Sequence, residues 1–380
     1  MDAETNSSDS FVIDDSEEDT PFIFSDTRQR AIVASVFLFI AVSGTIGNSL
    51  VILSVLVSRK LRTTTNAFVV NLAVADLLTS LCVPWNAVAL LGFNGLPIPE
   101  IICSIAAGVL FTCIGCSLYT LTSIAIYRVV LITRPFQVYR KELNRKVIAI
   151  FIILIWIIPC CVVITPPFFN IGELGYNTKY FTCSGKSSHH NSNTYDLIVA
   201  TALYPIPLIT IIGCYSAIYI YLRRHLKTMH NLGARKIQMK TNHHLESFDD
   251  SSVGNASPVP VSTISANSNI PSDNPRLTIH EENRSQLSRR QIEITKNLFY
   301  VVCAFIICLT PYSVCLVYDD SDPAIPYTGT FVLFNSCINP IIYATKHPSF
   351  KSVFKYILLC QWKNIPEPAS FVRFFTSRTK

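Results

Sequence analysis

The segment Leu118-Tyr-Thr-Leu-Thr-Ser-Ile-Ala-Ile-Tyr-Arg-Val-Val-Leu-Ile132 is apolar for most of its length, yet it carries one arginine, Arg128, near its end. Cys103 opens the same apolar run, 25 residues before that arginine. At a helical rise of about 1.5 Å per residue the two would lie roughly 37 Å apart, a little more than the thickness of a bilayer core. A single helix would then hold a cysteine at one membrane face and a guanidinium at the other, with the rest of the chain as its frame.

The composition agrees with a membrane setting. The 380 residues are 50% hydrophobic and 15% charged, with a mean hydropathy of +0.38. A soluble domain carries about 25% charged residues. The formal charge of +6 raises the question of nucleic acid, but the chain has neither a glycine-rich phosphate loop nor zinc-finger spacing. Most of the 13 cysteines sit inside apolar runs, where a thiol behaves as a small hydrophobe. Cys113-Ile-Gly-Cys116 has redox-motif spacing but lies within such a run. An enzyme is not expected: no nucleophile is paired with a base, no two carboxylates are paired, and His189-His190 and His243-His244 fall in loops.

Seven apolar runs, at about 31–57, 67–91, 101–133, 147–168, 197–222, 295–318 and 325–345, approach or exceed the ~20 residues that span hydrocarbon as a helix. Continuous runs exclude a barrel, which would show alternating segments of about ten residues. Backbone groups in lipid must pair internally, so helices follow. The expected fold is an all-α membrane protein, a seven-transmembrane helix bundle with a short amphipathic helix after the seventh span.

Four of the 31 Lys and Arg residues, Arg28, Arg30, Lys179 and Lys186, fall on the N-terminal side of the membrane. The others, among them Arg59, Lys60, Arg62, Arg134, Arg140, Lys141, Arg145 and Lys146, lie at or beyond the opposite face, which the positive-inside rule makes cytoplasmic. That spread of charge along a membrane face also removes nucleic acid as a partner. The expected arrangement is an extracellular tail over 1–30, a bundle over 31–345 in the plasma membrane, and a cytoplasmic helix and tail over 346–380. Asn6-Ser7-Ser8 is then a glycosylation acceptor on the outer side.

With the helices placed, two cysteines remain outside: Cys103 at the top of helix 3 and Cys183 in the loop after helix 4. The exterior is oxidising, so a disulfide between them is expected, pinning that loop as a lid over the bundle mouth. The inner loop at 223–294 has basic ends and a Ser, Asn, Asp and Pro-rich middle, a composition that predicts disorder. From Pro348 to Cys360 apolar and basic residues alternate at helical spacing, as suits a helix lying on the inner membrane surface. Cys360 is either palmitoylated there or a free interfacial thiol.

Several motifs fall in these runs. Helix 1 has Gly47-Asn48-Ser-Leu-Val51, helix 2 has Asn71-Leu-Ala-Val-Ala-Asp76-Leu-Leu78, and helix 4 has Trp156 and Pro159. Helix 5 has Pro207 and Tyr215, helix 6 has Phe305 and Cys308-Leu-Thr-Pro-Tyr312, and helix 7 has Asn335-Ser-Cys-Ile-Asn339-Pro-Ile-Ile-Tyr343. In this order, with Cys103 and Arg128 on helix 3, the chain resembles the rhodopsin-like (class A) G-protein-coupled receptors, and helix 3 is similar to that of melatonin-receptor-like and related orphan groups.

The resemblance implies coupling to a heterotrimeric G protein through Arg128, Tyr215, Asn339, Pro340 and Tyr343, with Arg128 held at rest and released when helix 6 swings outward. It implies a packed connector of Leu118, Pro207 and Phe305 beneath a ligand pocket. It also implies arrestin and receptor kinases as further partners, acting on sites such as Ser251, Ser252, Ser370 and Thr376. Asp76 with Asn48, Ser117, Asn335, Ser336 and Asn339 resembles the family's allosteric sodium pocket; no other metal or cofactor is expected. Two plainer readings stay open: Asp76 as a protonated, hydrogen-bonded carboxyl, and Arg128 as a side chain whose head group merely snorkels to the interface.

The chain departs from the family pattern at Tyr127, where an acid precedes the arginine, at Val129, and at Leu309, where a tryptophan is usual. The inner end of helix 6 has Gln291 where the family often has an acid that pairs with the arginine, and Glu293 two residues later. These departures motivate a hypothesis of raised basal signalling. Helix 3 has no aspartate to pair with a monoamine, and helix 7 has Leu333 where opsins bear the retinal lysine. Trp85, Leu110, Phe111, Tyr204, Tyr312 and Phe334 are the candidate pocket residues. An acidic exterior, including Asp319, Asp320 and Asp322, would favour a basic peptide; an indole-like or lipid ligand is the alternative. A non-signalling decoy receptor and a small-molecule transporter are the competing functions, the latter disfavoured because Asp76 alone is ionisable near the midplane.

Overall fold

The computed structural model describes residues 22–134, 145–224, 299–316 and 318–378, together with 227, 295 and 296. Asn6 and most of the cytoplasmic loop expected over 223–294, including Ser251, Ser252, Gln291 and Glu293, lie outside the described residues. Among the described residues, seven helices follow the seven apolar runs: α1 (Thr27–Val57), α2 (Thr64–Leu91), α3 (Glu100–Thr133), α4 (Arg145–Phe168), α5 (Ser192–Arg224), α6 (Phe299–Cys315) and α7 (Ile325–Lys346). The first five are long and apolar enough to cross a bilayer by length and composition alone. Two short strands, β1 (Leu174–Asn177) and β2 (Thr182–Gly185), lie between α4 and α5 and pair antiparallel with Tyr176 opposite Cys183.

The helix ends follow local chemistry. The Asp26 carboxylate accepts from the backbone N–H groups of Arg28 at 2.8 Å and Gln29 at 3.3 Å, satisfying donors that the first turn of α1 leaves unpaired. Thr63 does the same for α2 through Asn66 N–H at 3.3 Å. Within α5 the helix is interrupted at Tyr204, three residues before Pro207, whose missing N–H cannot bond the Leu203 carbonyl.

α1 packs on α2 and α7, α2 on α3, and α3 on α4. Close approach depends on small residues. A Cβ on Gly47 would stand 2.8 Å from Pro340 Cγ, and one on Gly115 would stand 2.7 Å from Pro159 Cβ. Two motif prolines therefore sit flush against glycines of neighbouring helices.

After α7, α8 (Pro348–Leu358) buries Phe350, Val353, Phe354 and Ile357 while Lys351 and Lys355 face outward. The chain then turns back, an arrangement the sequence reading did not anticipate. Ser58 Oγ donates to Pro366 O at 2.6 Å, Arg59 N to Glu367 O at 2.9 Å, and Ala369 N to Val57 O at 2.8 Å. A further helix, α9 (Ser370–Arg378), follows, and Ile365, Ala369 and Val372 are buried in the bundle's main apolar cluster.

Candidate functional site

The outer end is closed by the strand pair. Cys103, in the first turn of α3, is disulfide-bonded to Cys183 of β2, and both are buried. Polar contacts fix the rest of the loop. Ser104 Oγ donates to Leu174 O at 2.9 Å, and the Cys183 N–H donates to Asn86 Oδ1 at 2.8 Å. Lys186 bridges Glu100 and Glu173, and hydrogen bonding first to Glu100 and then to Glu173 raises its pKa above the ordinary lysine value. Lys179 pairs with Asp322 at 2.5 Å, and the Tyr180 hydroxyl donates to the same carboxylate, tying the lid to the start of α7. Burial, followed by that hydrogen bond, pushes the Tyr180 phenol upward from its usual pKa. The side chains of Asp319 and Asp320 lie outside the described residues.

Arg30, one of the four basic residues on the N-terminal side, is only 4% exposed. Its Nε donates to Leu90 O at 2.8 Å and its Nη2 to Gly92 O at 3.1 Å, closing the C-terminal end of α2. Its guanidinium lies 3.8 Å from the centre of the Phe181 ring, on the lid. The Asp26 cap that starts α1 four residues earlier is the only local sign that this arginine belongs to a helix, and nothing in the sequence marks its partner.

Beneath the lid is a cavity of about 150 Å³. Leu110, Phe111 and Tyr312 line it as expected, joined by Asn86, Asp196 and Tyr180, which the sequence reading did not single out. Three other expected residues stand elsewhere. Trp85 is 39% exposed on the outside of the bundle. The Tyr204 hydroxyl is hydrogen-bonded to Thr310 Oγ1 at 2.6 Å, and Phe334 packs into the apolar cluster around Phe37 and Leu333.

Below this cavity lies a much smaller one, about 10 Å³, whose walls include Asp76, Ser117, Phe305, Leu309, Asn335 and Ser336. Ile114 of α3 and Val332 of α7 line both cavities, so two side chains form the partition between them. Asp76 Oδ1 accepts from Ser117 Oγ at 3.1 Å and Oδ2 accepts from Asn339 Nδ2 at 2.8 Å. Asn335 Oδ1 is buried without a hydrogen-bond partner among the described residues. Asn48 stands one layer away, donating to Gly44 O and to Ser336 O, each at 2.9 Å. Leu118 and Phe305 share the main apolar cluster, and Pro207 is buried on α5. Asn71 links three helices, donating to Thr120 Oγ1 at 2.8 Å and accepting from Trp156 Nε1 at 2.9 Å.

At the inner end, Arg128 is 1% exposed, and its Nη2 donates to Thr65 Oγ1 of α2 at 3.3 Å. A snorkelling head group would be exposed; this one is enclosed. Tyr127 is buried and meets the Phe68 ring edge-on at 6.2 Å. Tyr215 contacts Phe299 of α6, and Tyr343 stacks on Phe350 of α8. Both tyrosine hydroxyls are buried without a hydrogen-bond partner among the described residues. Cys360 is exposed just past α8 and forms no disulfide.

A lidded outer cavity, a polar core and a buried inner arginine on one continuous α3 define a seven-helix receptor. The chain belongs to the family described as 7 transmembrane receptor (rhodopsin family), whose sequence profile matches residues 47–343. Among curated proteins it is similar to the G-protein coupled receptor moody of Drosophila melanogaster, 25% identical over 352 residues covering 86% of this chain and 51% of that protein. It is also similar to melatonin receptor type 1B-A of Danio rerio, 32% identical over 195 residues (51% of this chain, 66% of that receptor), and to melatonin receptor type 1A of Ovis aries, 25% identical over 345 residues (88% and 79%). The chain thus spans about half the length of the moody receptors it matches. In fold it matches the crystal structure of squid rhodopsin with a TM-score of 0.68 at 19% identity, covering 88% of each chain. Membership of this family makes it a multi-pass membrane protein and a receptor rather than an enzyme.

Proposed function

We propose that this chain is a plasma-membrane receptor, N-terminus outside, that converts binding of an extracellular small molecule or peptide in the outer cavity into activation of a heterotrimeric G protein. The observation that carries the reading is the sharing of Ile114 and Val332 by the outer cavity and the Asp76 cavity. A ligand pressing on that partition repacks α3 against α7, and α3 carries Arg128 at its inner end. The two unpartnered phenols, Tyr215 and Tyr343, are acceptors and donors in reserve for a second packing in which α6 has moved. Because close-packed interiors switch between discrete arrangements, small displacements at the partition suffice. The relatives named as G-protein coupled and melatonin receptors support the same reading. Receptor kinases and arrestin complete it as partners at the cytoplasmic face.

Sodium fits the Asp76 cavity. The donor set is all oxygen, with one carboxylate, hydroxyls of Ser117 and Ser336, and the unpartnered Asn335 Oδ1. Hard cations take such ligands, and a volume of about 10 Å³ corresponds to roughly one small occupant. Asp76, Ser117 and Asn335 would hold the ion, whose charge offsets the cost of a carboxylate at mid-membrane depth.

The test is a screen of peptides and small metabolites against cells expressing this chain with a promiscuous G protein. A ligand whose response disappears when the cavity residue Phe111 or Tyr312 is replaced by alanine supports the proposal. Ligand binding with no nucleotide exchange on any heterotrimer would instead favour a decoy receptor, a reading that Tyr127 and Val129 motivate.

A further inference from the structure

We infer that the outer cavity is built for a small organic cation, held at its charged end by Asp196 of α5 and at a carbonyl or similar acceptor by Asn86 of α2. The inference rests on the cavity being the receptor's ligand site, and it specifies the ligand's chemistry.

Asp196 lies in the second turn of α5, lines the cavity, and makes no hydrogen bond or ion pair among the described residues. A carboxylate against an apolar wall needs a counter-charge or donors. The described outer lysines and arginines are committed elsewhere or exposed to solvent. Lys179 is held by Asp322, Lys186 by Glu100 and Glu173, and Arg30 by the carbonyls of Leu90 and Gly92, while Arg28 is exposed at the start of α1. His189 meets Asn170 and stacks on His190. Asp322, the other acid described at the mouth, already serves Lys179 and Tyr180. Among the described residues at the cavity, Asp196 is therefore the carboxylate left for a ligand.

Asn86 supplies the second anchor. Its Oδ1 accepts from Cys183 N–H, which fixes the amide's orientation, and its Nδ2 is left buried with no partner in a residue that is 3% exposed. The strand β2 passes close to both anchors. Asn86 bonds β2 at Cys183, whereas Asp196 Oδ1 lies 3.4 Å from where a Cβ on Gly185 would stand. Two residues of strand separate those points by about 6.6 Å. Phe111, Tyr180 and Tyr312 line the same cavity, and aromatic faces attract an organic ammonium. The α3 wall offers Leu110, Phe111 and Ile114 and no acid, so charge recognition comes from α5.

The probes are ring-substituted N-(2-dimethylaminoethyl)benzamides, each paired with its neutral N-(3-methylbutyl) isostere, tested for thermal stabilisation of the purified full chain in lipid nanodiscs without G protein. The expected result is that cationic members stabilise the wild type more than their isosteres, and that Asp196→Asn weakens the cations by about tenfold or more while leaving the isosteres unchanged. Asp196→Glu retains the preference for the cation, and both variants melt close to the wild type without ligand, which separates loss of recognition from loss of fold. Equal binding of cation and isostere, unaltered cation affinity in Asp196→Asn, or no stabilisation by any cationic member at millimolar concentration overturns the inference. A chain that binds the cations but drives no nucleotide exchange refutes the G-protein reading alone; exchange driven by a neutral ligand indifferent to Asp196 refutes this inference alone.

Discussion

Replacing Arg30 by methionine keeps an unbranched apolar stem and removes the guanidinium. Two charged donors are lost, at 2.8 and 3.1 Å from the Leu90 and Gly92 carbonyls, and the face contact with Phe181 goes with them. A hydrogen bond from a charged donor contributes about 1.5–3 kcal/mol, and a desolvated cation–π contact about 1–2. These do not add, because the side chain itself must be desolvated to make them and water can reach a carbonyl at a helix end. A net loss of about 2–4 kcal/mol follows. At roughly 2 °C per kcal/mol for a chain of this size, the melting temperature should fall by about 4–8 °C. Arg28→Met, two residues away at an exposed site, is the control and should change stability by no more than about 0.5 kcal/mol. The assay is thermal melting of both purified full-length variants in one detergent. If Arg30→Met melts with Arg28→Met, the arginine is not the clasp between α1, α2 and the lid.

Gly115→Ala places a methyl 2.7 Å from Pro159 Cβ, so α3 and α4 must separate; a destabilisation of about 1–3 kcal/mol is expected in the same melt, and none would show that the interface is loose. Sodium added in place of a large organic cation should raise the melting temperature of the wild type and leave Asp76→Asn unaffected; at a hundred times its dissociation constant the ion adds about 2.7 kcal/mol. Tyr127→Asp sets a carboxylate beside Arg128 and should lower ligand-free nucleotide exchange about tenfold, the effect of 1.4 kcal/mol of added bias towards rest, at matched surface expression. Unchanged basal exchange would remove Tyr127 as a cause of basal signalling.

Much of this arrangement is legible in the sequence because lipid imposes strong constraints. Hydrocarbon demands long apolar helices, and the Lys and Arg distribution predicts which end faces the cytoplasm. The order of Asn48, Asp76, Ser117 and Asn339 along those helices places a polar layer at a common depth, with Arg128 nearer the inner end. What the sequence hides is which way each side chain turns. A helix apolar all round gives no stripe to mark its inner face, so Trp85 and Phe111 read alike although one faces outward and the other lines the cavity. Asp196 and Arg30 lie within the first two turns of α5 and α1, where a charge reads as ordinary surface. Their burial depends on the lid, whose path is set by a disulfide across 80 residues of chain. The docking of the segment around Ala369 on the turn after α1 likewise rests on backbone hydrogen bonds, which leave no mark in side-chain pattern.

The most direct measurement is guanine-nucleotide exchange on purified heterotrimer by the wild type and by Arg128→Ala, with one cavity ligand at saturation and its affinity measured in parallel. The account predicts that both proteins bind the ligand and that only the wild type accelerates exchange. Equal acceleration by Arg128→Ala would contradict it.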